Sequence, residues 1–330
     1  MASLAMPLPE RQLLRWVRQA AGGSPARSGL RIGIGDDAAV MRPRTGHETV
    51  VTTDLLLEGV HFLRAHDSAA TCARRLLARA LSDLGAMGAQ PRTIFLSCAF
   101  PDDLPKGWER SFFRVLIRAA GLAGATLAGG DVGRSPHGIL LDITGVGEVP
   151  RDRALLRSGA QAGDGLYVSG ELGVSALGRE VAHSGLAPRN ALERRAQQRH
   201  RYPEARWRLG MALRNIASAC LDVSDGLSTD LGHLCEESGV AALLDADAIP
   251  TPAGLERALH GGEDYELLFS VPARSEPALR RLQRRPGFPP LTRIGSLHRG
   301  HGMRLMAAGG PPNQLPSAGW EHFARGVREA

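Results

Sequence analysis

Apolar and polar positions alternate along the chain in two patterns, which predict short strands and amphipathic helices. The β-branched run at 49–54 indicates a strand, and the helical spacing of leucine and alanine indicates a helix over 68–87. Further strands are expected at 93–100, 126–131, 138–149, 219–223, 240–245, 265–271 and 292–297, and a strand with its turn at 164–170. Further helices are expected at 107–120, 175–183, 203–218, 227–238 and 251–260. Interleaved helices and strands predict an α/β fold.

A polar, glycine-containing stretch at 151–163 interrupts this alternation. Such a composition is typical of a connection between domains, and 330 residues are enough for two hydrophobic cores. We therefore predict an N-terminal domain over residues 1–150 and a C-terminal α/β domain over residues 151–330. At the ends of the chain we expect a short surface helix within residues 1–18 and a proline-containing loop after residue 310.

The composition, 43% hydrophobic and 22% charged, is that of a soluble globular protein. No stretch approaches the roughly 18 consecutive apolar residues that a membrane helix needs, and residues 1–18 do not resemble a secretory leader. We therefore expect a cytoplasmic protein with no membrane partner. Because none of the 4 cysteines belongs to a CxxC pair, buried free thiols are expected rather than a zinc site.

The formal net charge of +6 raises the possibility of a nucleic-acid partner. Aromatic residues, however, are scattered and make up only 5% of the chain, whereas nucleic-acid grooves combine basic with aromatic side chains. The basic run at 194–208 is interpreted as the solvated face of a helix. A nucleic-acid-binding protein is therefore the less favoured alternative. The single lysine, Lys106, is followed by Gly-Trp rather than Ser or Thr, which excludes a P-loop NTPase.

Aspartates recur beside glycine turns and at the ends of predicted strands. They are Asp37, Asp54, Asp83, Asp131, Asp222 and Asp225. Strand ends in α/β folds converge on one crevice, and carboxylates that share a site repel one another unless a cation lies between them. Mg²⁺ favours carboxylates together with phosphate oxygens and water, so several Mg²⁺ ions and a nucleoside triphosphate are predicted here. The simpler explanation of each residue stays open, because aspartate also favours turns.

Five further features of the sequence are candidates for binding a phosphate or a substrate. The glycines of 129–131 let backbone amides approach a phosphate, and the helix after 224–226 is expected to point its N-terminus the same way, although a residue of that turn can simply cap the helix. Arg157 is a candidate phosphate clamp or an ordinary surface arginine. His61 and Glu263 are candidates for substrate binding, with a structural histidine and a solvated loop residue as the alternatives.

Six motifs, in this order along the chain, resemble those of the thiamine-monophosphate kinase family. They are Gly-Ile-Gly-Asp-Asp at 33–37, Thr-Thr-Asp at 52–54 with His61, Leu-Ser-Asp-Leu-Gly-Ala-Met-Gly at 81–88, Gly-Gly-Asp at 129–131, Asp-Val-Ser-Asp-Gly-Leu at 222–227 and Gly-Gly-Glu-Asp-Tyr-Glu at 261–266. Trp320 extends the match into the tail. The wider superfamily contains aminoimidazole ribonucleotide synthetase, selenophosphate synthetase and a hydrogenase maturation factor. This resemblance implies two α/β domains and a homodimer formed through a β-barrel of N-terminal strands.

The resemblance also implies ATP-dependent phosphorylation of thiamine monophosphate to thiamine diphosphate, with release of ADP by direct in-line transfer. Implied Mg²⁺ ligands are Asp37, Thr52, Thr53, Asp54, Asp83, Asp131, Asp222 and Asp225, of which Asp54, Asp131 and Asp222 carry the reaction. Implied ATP contacts are Gly130, Asp131, Arg157 and Ser224. Implied substrate contacts are His61, Glu263 and Trp320, with the indole stacked on the cationic thiazolium. In this interpretation the N-terminal domain binds metal and ATP and forms the dimer, and the C-terminal domain completes the nucleotide and substrate site.

Another ATP-dependent synthetase of the same superfamily is the first alternative. Selenophosphate synthetase is expected to carry a reactive cysteine or its equivalent, and a lysine, in an N-terminal glycine-rich loop. Here no cysteine precedes Cys72 and no lysine precedes Lys106. The stretch at 261–266 also fits aminoimidazole ribonucleotide synthetase less well, so the thiamine-monophosphate kinase interpretation is preferred.

Overall fold

The computed structural model of the chain describes residues 9–22, 29–307 and 310–320. The chain divides into two compact units. The first is built from described residues within 1–84 and 90–151, and the second from 85–89 together with the described residues from 152 onwards.

Among its described residues, the first unit contains a two-stranded antiparallel sheet, a four-stranded mixed sheet and three helices. Its elements are α1 (Glu10–Ala21), β1 (Leu30–Ile32), β2 (Val40–Met41), β3 (His47–Leu57), α2 (Ala69–Ala86, whose last residues count with the second unit), β4 (Gln90–Phe100), α3 (Trp108–Ala123), β5 (Thr126–Arg134) and β6 (Leu140–Pro150). Strands β1 and β2 pair with each other, and the main sheet has the order β3-β6-β4-β5. Only the β4–β5 pair in that sheet is parallel.

Close packing of α2 on the main sheet depends on Gly145 of β6. A Cβ atom at this position would lie 3.1 Å from the Cβ of Ala80 and 3.3 Å from Cγ2 of Thr52. The helix therefore approaches the sheet at the point where β3 carries Thr52. Leu76 and Leu84 of α2 are fully buried and complete the core on this face.

The predicted β-barrel is not seen within the described residues of this one chain. The main sheet is open, with β3 and β5 at its edges. Four strands are too few to close on themselves, because a filled barrel needs about eight. The open face of β3 and β6 carries exposed apolar side chains, including Val51 at 61% and Leu55 at 46% exposure.

The second unit is built on one large mixed sheet. Its elements are β7 (Gly165–Ser169), α4 (Val174–His183), α5 (Ala191–Arg201), α6 (Trp207–Leu213), β8 (Ala219–Val223), α7 (Leu227–Ser238), β9 (Val240–Asp245), α8 (Leu255–His260), β10 (Glu266–Val271), α9 (Glu276–Gln283), β11 (Leu291–Arg299), β12 (Met303–Met306) and β13 (Asn313–Gln314). The strand order is β13-β12-β9-β11-β7-β10-β8, with β12–β9 parallel and the other pairs antiparallel.

Both faces of this sheet are covered, which explains the continuous apolar runs of its central strands. Leu166 and Val168 of β7 enter one core cluster, whereas Tyr167 enters another. The same alternation separates Leu268 of β10 from Phe269. Side chains on successive strand residues point to opposite faces, so a strand buried on both sides has no polar face.

Most predicted elements are confirmed, but strands β1, β2 and β12 and helix α9 were not predicted. Helix α7 occupies 227–238 as predicted. The helix predicted at 203–218 is wrong in extent, because α6 covers only Trp207–Leu213. The predicted tail loop contains the short strand β13. The predicted N-terminal surface helix begins at Glu10, and its Leu13 and Val17 are buried, so one face of it is part of the core; residues 1–8 lie outside the described part of the chain.

The four cysteines are free and buried, as predicted. In the described part of the chain no helix combines the length and the hydropathy needed to cross a membrane.

Candidate functional site

The first unit gathers carboxylates around the end of β3. Asp54 of β3, Asp83 of α2 and, on the other face of the sheet, Asp142 of β6 form this group, here called the β3 carboxylate cluster. Thr52 Oγ1 donates a hydrogen bond to Asp83 Oδ2. Thr53 Oγ1 donates to Asp142 Oδ2 at 3.1 Å. The hydroxyl groups of β3 thus already contact the carboxylates of its neighbours.

Asp54 is the most perturbed member of the β3 carboxylate cluster. Burial and the neighbouring charge of Asp83 raise the pKa of Asp54 to about 7, while the Arg79 guanidinium opposes this and Asp142 adds to it. Its Oδ2 atom is buried and has no hydrogen-bond partner among the described residues. A buried carboxylate oxygen without a partner is costly, so this position favours a bound cation.

Strand alternation separates the two neighbouring threonines. Thr52 and Asp54 lie on the face of β3 that α2 covers, whereas Thr53 lies on the open face with Asp142. The Thr-Thr-Asp motif at 52–54 predicted one group of ligands. The structure brings two of these side chains towards Asp83 and turns the third away.

The glycine-rich segment at 33–37 lines a cavity of about 670 Å³ in the first unit. Asp37, Gly130 and Asp131 all border this cavity, together with apolar side chains of α1, β4 and α3 and with Arg15 and Arg18 of α1. Gly130 has φ of +147°, and a Cβ atom there would overlap the Leu96 carbonyl group, so only glycine fits. The volume is within the usual range for small-molecule sites.

His61 lies just beyond β3 with a defined ring orientation. Its Nδ1 atom accepts a hydrogen bond from the Leu57 amide at 3.0 Å, which leaves the proton of the neutral ring on Nε2. Arg75 donates to the His61 carbonyl oxygen at 2.8 Å. The ring therefore offers an N–H donor, which suits an anionic oxygen.

In the second unit, the turn at 224–226 follows β8 and precedes α7. The amides of Ser224, Asp225 and Gly226 donate to one atom, Oδ2 of Asp230, at 3.0, 3.0 and 3.1 Å. Burial, followed by the charges of Asp222 and Asp225, raises the pKa of Asp230, and the amide hydrogen bonds oppose that rise. The amides expected to face a phosphate thus bind a carboxylate of the chain itself.

The acidic stretch at 263–266 contains two acids with structural partners. Asp264 accepts from the amides of Gly173 and Ser175 at 2.6 and 3.0 Å, and burial raises its pKa to about 7. Glu266 is fully buried. Its partners are Arg199, Arg206 at 2.7 Å and the Ser169 hydroxyl at 2.5 Å.

Glu263 differs from these two acids because its side chain stays partly accessible, at 16%. Its backbone has φ of +67°, a conformation that non-glycine residues rarely adopt. The Glu263 amide donates to the Ser224 carbonyl oxygen at 2.7 Å, and Oε2 lies 3.5 Å from Nδ1 of the buried His200. Such backbone strain is typical of functional loops.

Trp320 is brought to the same turn by the tail of the chain. Its amide donates to the Asp225 carbonyl oxygen at 2.9 Å, and the residue is half-buried. Arg157 is different: its guanidinium is exposed and has no polar partner among the described residues, and its carbonyl oxygen accepts from Ser238 Oγ at 2.8 Å.

Each unit therefore assembles part of the predicted set of residues. The first unit groups Thr52, Asp54 and Asp83 at β3, and groups Asp37, Gly130 and Asp131 at the cavity. The second groups Asp222, Ser224, Asp225, Glu263 and Trp320 around the turn after β8.

Three further residues of these groups were not predicted: Arg79, Asp142 and Asp230. The position of Asp142 follows from strand pairing, because it lies opposite Leu55 of β3. Asp230 lies four residues after Gly226, in the first turns of a predicted helix. This spacing, which lets a side chain reach back to the start of its helix, was the only signal available from the sequence.

Comparisons with known proteins identify the family. Residues 35–149 match the model of the AIR synthase related protein N-terminal domain, and residues 161–307 match that of the C-terminal domain. Thiamine-monophosphate kinase of Salmonella typhimurium is 37% identical over 310 residues, which cover 91% of this chain and 94% of that protein. The chain belongs to the thiamine-monophosphate kinase family. It is therefore an enzyme of the kinase class, as the motifs implied.

Solved structures agree with this thiamine-monophosphate kinase assignment. The kinase from Stenotrophomonas maltophilia matches with a TM-score of 0.80 and 37% identity, covering 90% of this chain and 96% of that one. A ThiL protein complexed with AMPPCP and TMP matches with a TM-score of 0.75 and 28% identity over 96% of this chain and 97% of that one. The hydrogenase maturation protein HypE, at 19% identity, shares the fold alone. The two-domain mixed α/β fold is thus that of the AIR synthase-related proteins.

Proposed function

We propose that this enzyme transfers the γ-phosphoryl group of ATP to thiamine monophosphate, giving thiamine diphosphate and ADP. The observation that carries the proposal is the grouping of Ser224, Asp225, Glu263 and Trp320 around one turn. This group combines carboxylates with an indole, which suits a substrate that has a cationic ring and a phosphate. A relative solved with AMPPCP and TMP, with TMP read as thiamine monophosphate, supports the same substrates.

The donor set fits Mg²⁺, although no three His, Cys, Asp or Glu side chains of the described residues form a complete site. The unpartnered Asp54 oxygen and the hydroxyl of Thr52 beside Asp83 are hard oxygen ligands. We assign Mg²⁺ binding to Asp37, Thr52, Thr53, Asp54, Asp83, Asp131, Asp222 and Asp225, with Thr53 acting through its main chain. Bound Mg²⁺ would neutralise phosphate charge, and phosphate oxygens and water would complete each coordination shell.

The remaining residues bind and orient the two substrates. We assign ATP contacts to Gly130, Asp131, Arg157 and Ser224, with the adenosine part in the 670 Å³ cavity of the first unit. The exposed guanidinium of Arg157 is available for a phosphate. The Nε2–H of His61 would donate to the phosphate of thiamine monophosphate, and Glu263 and Trp320 would hold its cationic ring.

The transfer itself needs orientation more than proton removal. The acceptor phosphate oxygen is already ionised near neutral pH, so an in-line attack requires no strong general base. Asp54, Asp131 and Asp222 carry the reaction by holding the charges that align the two phosphates. The first unit is thus assigned metal and ATP binding, and the second unit completes the nucleotide and substrate site.

We further propose a cytoplasmic homodimer with no nucleic-acid or membrane partner. The open face of β3 and β6 exposes Val51, Leu55 and Leu140 at 61%, 46% and 39%. Adjacent exposed apolar side chains on an edge strand are typical of a covered surface. Two copies joined here would supply the strands for the β-barrel that the family resemblance implies.

The decisive experiment incubates the protein with ATP, MgCl₂ and thiamine monophosphate and separates the products by chromatography. Thiamine diphosphate and ADP are expected in equal amounts, and Asp131→Asn is expected to reduce turnover by orders of magnitude. No product with thiamine monophosphate, but ADP release with another acceptor, would instead favour a different synthetase of the superfamily. Salt-sensitive oligonucleotide binding would favour the nucleic-acid alternative.

A further inference from the structure

We propose that Ser228, Thr229 and Gly319 form a latch that fixes Trp320 at the turn 224–226 and thereby sets the affinity for thiamine monophosphate. These three residues, here called the tail latch, touch neither metal nor nucleotide in the assignments above. They are positioning residues, because they act through Trp320. The inference rests on the proposed function, since it gives a physical origin to the substrate contact of that indole.

Three consecutive amides of the tail are held by the first turn of α7 and by the turn that precedes it. The Ala318 amide donates to Ser228 Oγ at 3.3 Å, and the Gly319 amide donates to Thr229 Oγ1 at 2.9 Å. The Trp320 amide then donates to the Asp225 carbonyl oxygen at 2.9 Å. A segment with three successive anchored amides has a defined path, so the turn and the helix fix the backbone position from which the indole projects.

Glycine is required at position 319 because a larger side chain would collide with the turn. Its backbone conformation is not one that only glycine adopts. A Cβ atom on Gly319 would overlap the Asp225 carbonyl oxygen and lie 2.7 Å from Thr229 Oγ1. Both neighbours belong to the turn or to α7 itself. An alanine here would therefore push the tail off the helix, and Trp320 would move with it.

The surfaces that receive the tail are themselves rigid. Ser228 Oγ lies 2.9 Å from His260 Nδ1 of α8, and Asp230 holds the amides of the turn. Before the latch, the buried Leu315 donates its amide to the Met303 carbonyl oxygen at 2.9 Å. The tail is thus anchored on both β12 and α7.

The same turn also positions Glu263, whose amide donates to the Ser224 carbonyl oxygen. Asp225, Glu263 and Trp320 therefore hold fixed positions relative to one backbone segment. A cationic ring bound by an aromatic face and nearby carboxylates gains most when these groups are ordered beforehand, because no ordering cost is then paid on binding. Loss of the latch should weaken substrate binding without changing the transfer step.

The test compares matched variants of the full chain by steady-state kinetics with thiamine monophosphate and ATP. Thr229→Val removes the acceptor while keeping the shape of the side chain, and Gly319→Ala introduces the clash. Each should raise KM for thiamine monophosphate by about fivefold or more, the usual effect of one lost hydrogen bond. The value of kcat and KM for ATP should stay within about twofold of the wild type.

Two matched controls separate positioning from general damage. Thr229→Ser keeps the hydroxyl and should restore KM for thiamine monophosphate, and Gly310→Ala, where a Cβ atom would meet only the Ala307 carbonyl oxygen at 3.8 Å, should behave as the wild type. Hydrogen exchange of the 315–320 peptide supplies an independent measurement, and should be faster in Thr229→Val and Gly319→Ala than in either control.

The kinetic and hydrogen-exchange results each support or overturn the proposed role of the tail latch. An unchanged KM for thiamine monophosphate in both variants, or an equal rise of KM for ATP, would overturn it. Unchanged hydrogen exchange would show that the latch does not order the tail. If the wild type forms no thiamine diphosphate, the proposed function fails and the substrate role of the latch fails with it, while the exchange measurement still reports the ordering of the tail separately.

Discussion

Asp230 shows how a single carboxylate can determine the shape of a functional loop. Its Oδ2 atom accepts hydrogen bonds from the amides of Ser224, Asp225 and Gly226, the three residues of the turn. These amides would otherwise be orphan donors before a helix. The charges of the neighbouring Asp222 and Asp225 repel the ionised form of Asp230 and so raise its pKa. The same carboxylate nevertheless holds the backbone of the turn in place.

We therefore expect Asp230→Ala to lower the free energy of unfolding by about 3 kcal/mol, because buried donors lose their acceptor. Asp230→Asn is the matched control: its side-chain oxygen can still accept, and a loss below about 1 kcal/mol is expected. Urea denaturation at pH 7 provides both values. Equal losses in the two variants would show that the hydrogen bonds to the turn are not what stabilises it.

Asp264 predicts a pH dependence of stability. Its folded-state pKa of about 7 lies above the ordinary value of 3.8, so the folded protein holds this proton more tightly than the unfolded chain. The resulting stability is fully present below about pH 4 and is lost as the pH rises through about 7. Asp264→Asn cannot titrate here, and the difference between the wild-type and variant unfolding free energies should fall with rising pH across this range.

The exposed Asp247→Asn serves as the matched control for the loss of one carboxylate elsewhere in the second unit. Thermal unfolding at several pH values between 4 and 8 is sufficient for the comparison. A wild-type-minus-Asp264→Asn difference that is constant with pH would contradict the assignment of the proton to Asp264.

At the scale of elements, hydrophobic spacing predicted where helices and strands lie better than where they end. Helix α7 was predicted at its observed bounds because Gly226 and Gly239 enclose a clear apolar pattern. The apolar spacing at 203–218 continues through the 207–213 helix into a loop, and sequence periodicity alone does not reveal that end. Strand β13 has only two residues and depends on pairing with β12, which no local pattern encodes.

The candidate residues were predictable for a different reason, namely their motifs. Asp54, Asp225 and Glu263 lie in motifs that resemble a known family, so their importance was visible without a structure. Asp142 and the tail latch were not visible, because their roles arise from strand pairing and from contacts between distant segments. The faces of Thr52 and Thr53 also became distinct only once β3 was seen packed against α2.

The packing of α2 on β6 leads to a prediction at this scale. Gly145→Val should lower the free energy of unfolding by about 1–3 kcal/mol through overpacking against Ala80 and Thr52. The matched control is Gly133→Val in β5, where a Cβ atom would meet nothing within 4 Å. A similar loss at both positions would show that the contact with α2 does not decide the effect.

At the scale of the whole molecule, the main sheet of the first unit is open, and one face of β3 and β6 is not covered by the described residues of a single chain. Edge strand β3 carries Val51 and Leu55 on an uncovered face, and Leu140 of the neighbouring β6 is exposed as well. Burial of such side chains is worth about 25 cal/mol per Å². Isolated exposed residues such as Leu186 lack this arrangement along a strand.

We expect the wild type to sediment as a dimer of the 35.1 kDa chain, and the double variant Val51→Lys/Leu55→Lys to sediment as a monomer, because charges on this face oppose its burial. Leu186→Lys, at a residue that is 72% exposed in the second unit, controls for added charge and should stay dimeric. Sedimentation velocity at micromolar concentration distinguishes the two states. A monomeric wild type, or a double variant that remains dimeric, would exclude the β3 face as the interface, and the exposed apolar strand would then need a different explanation.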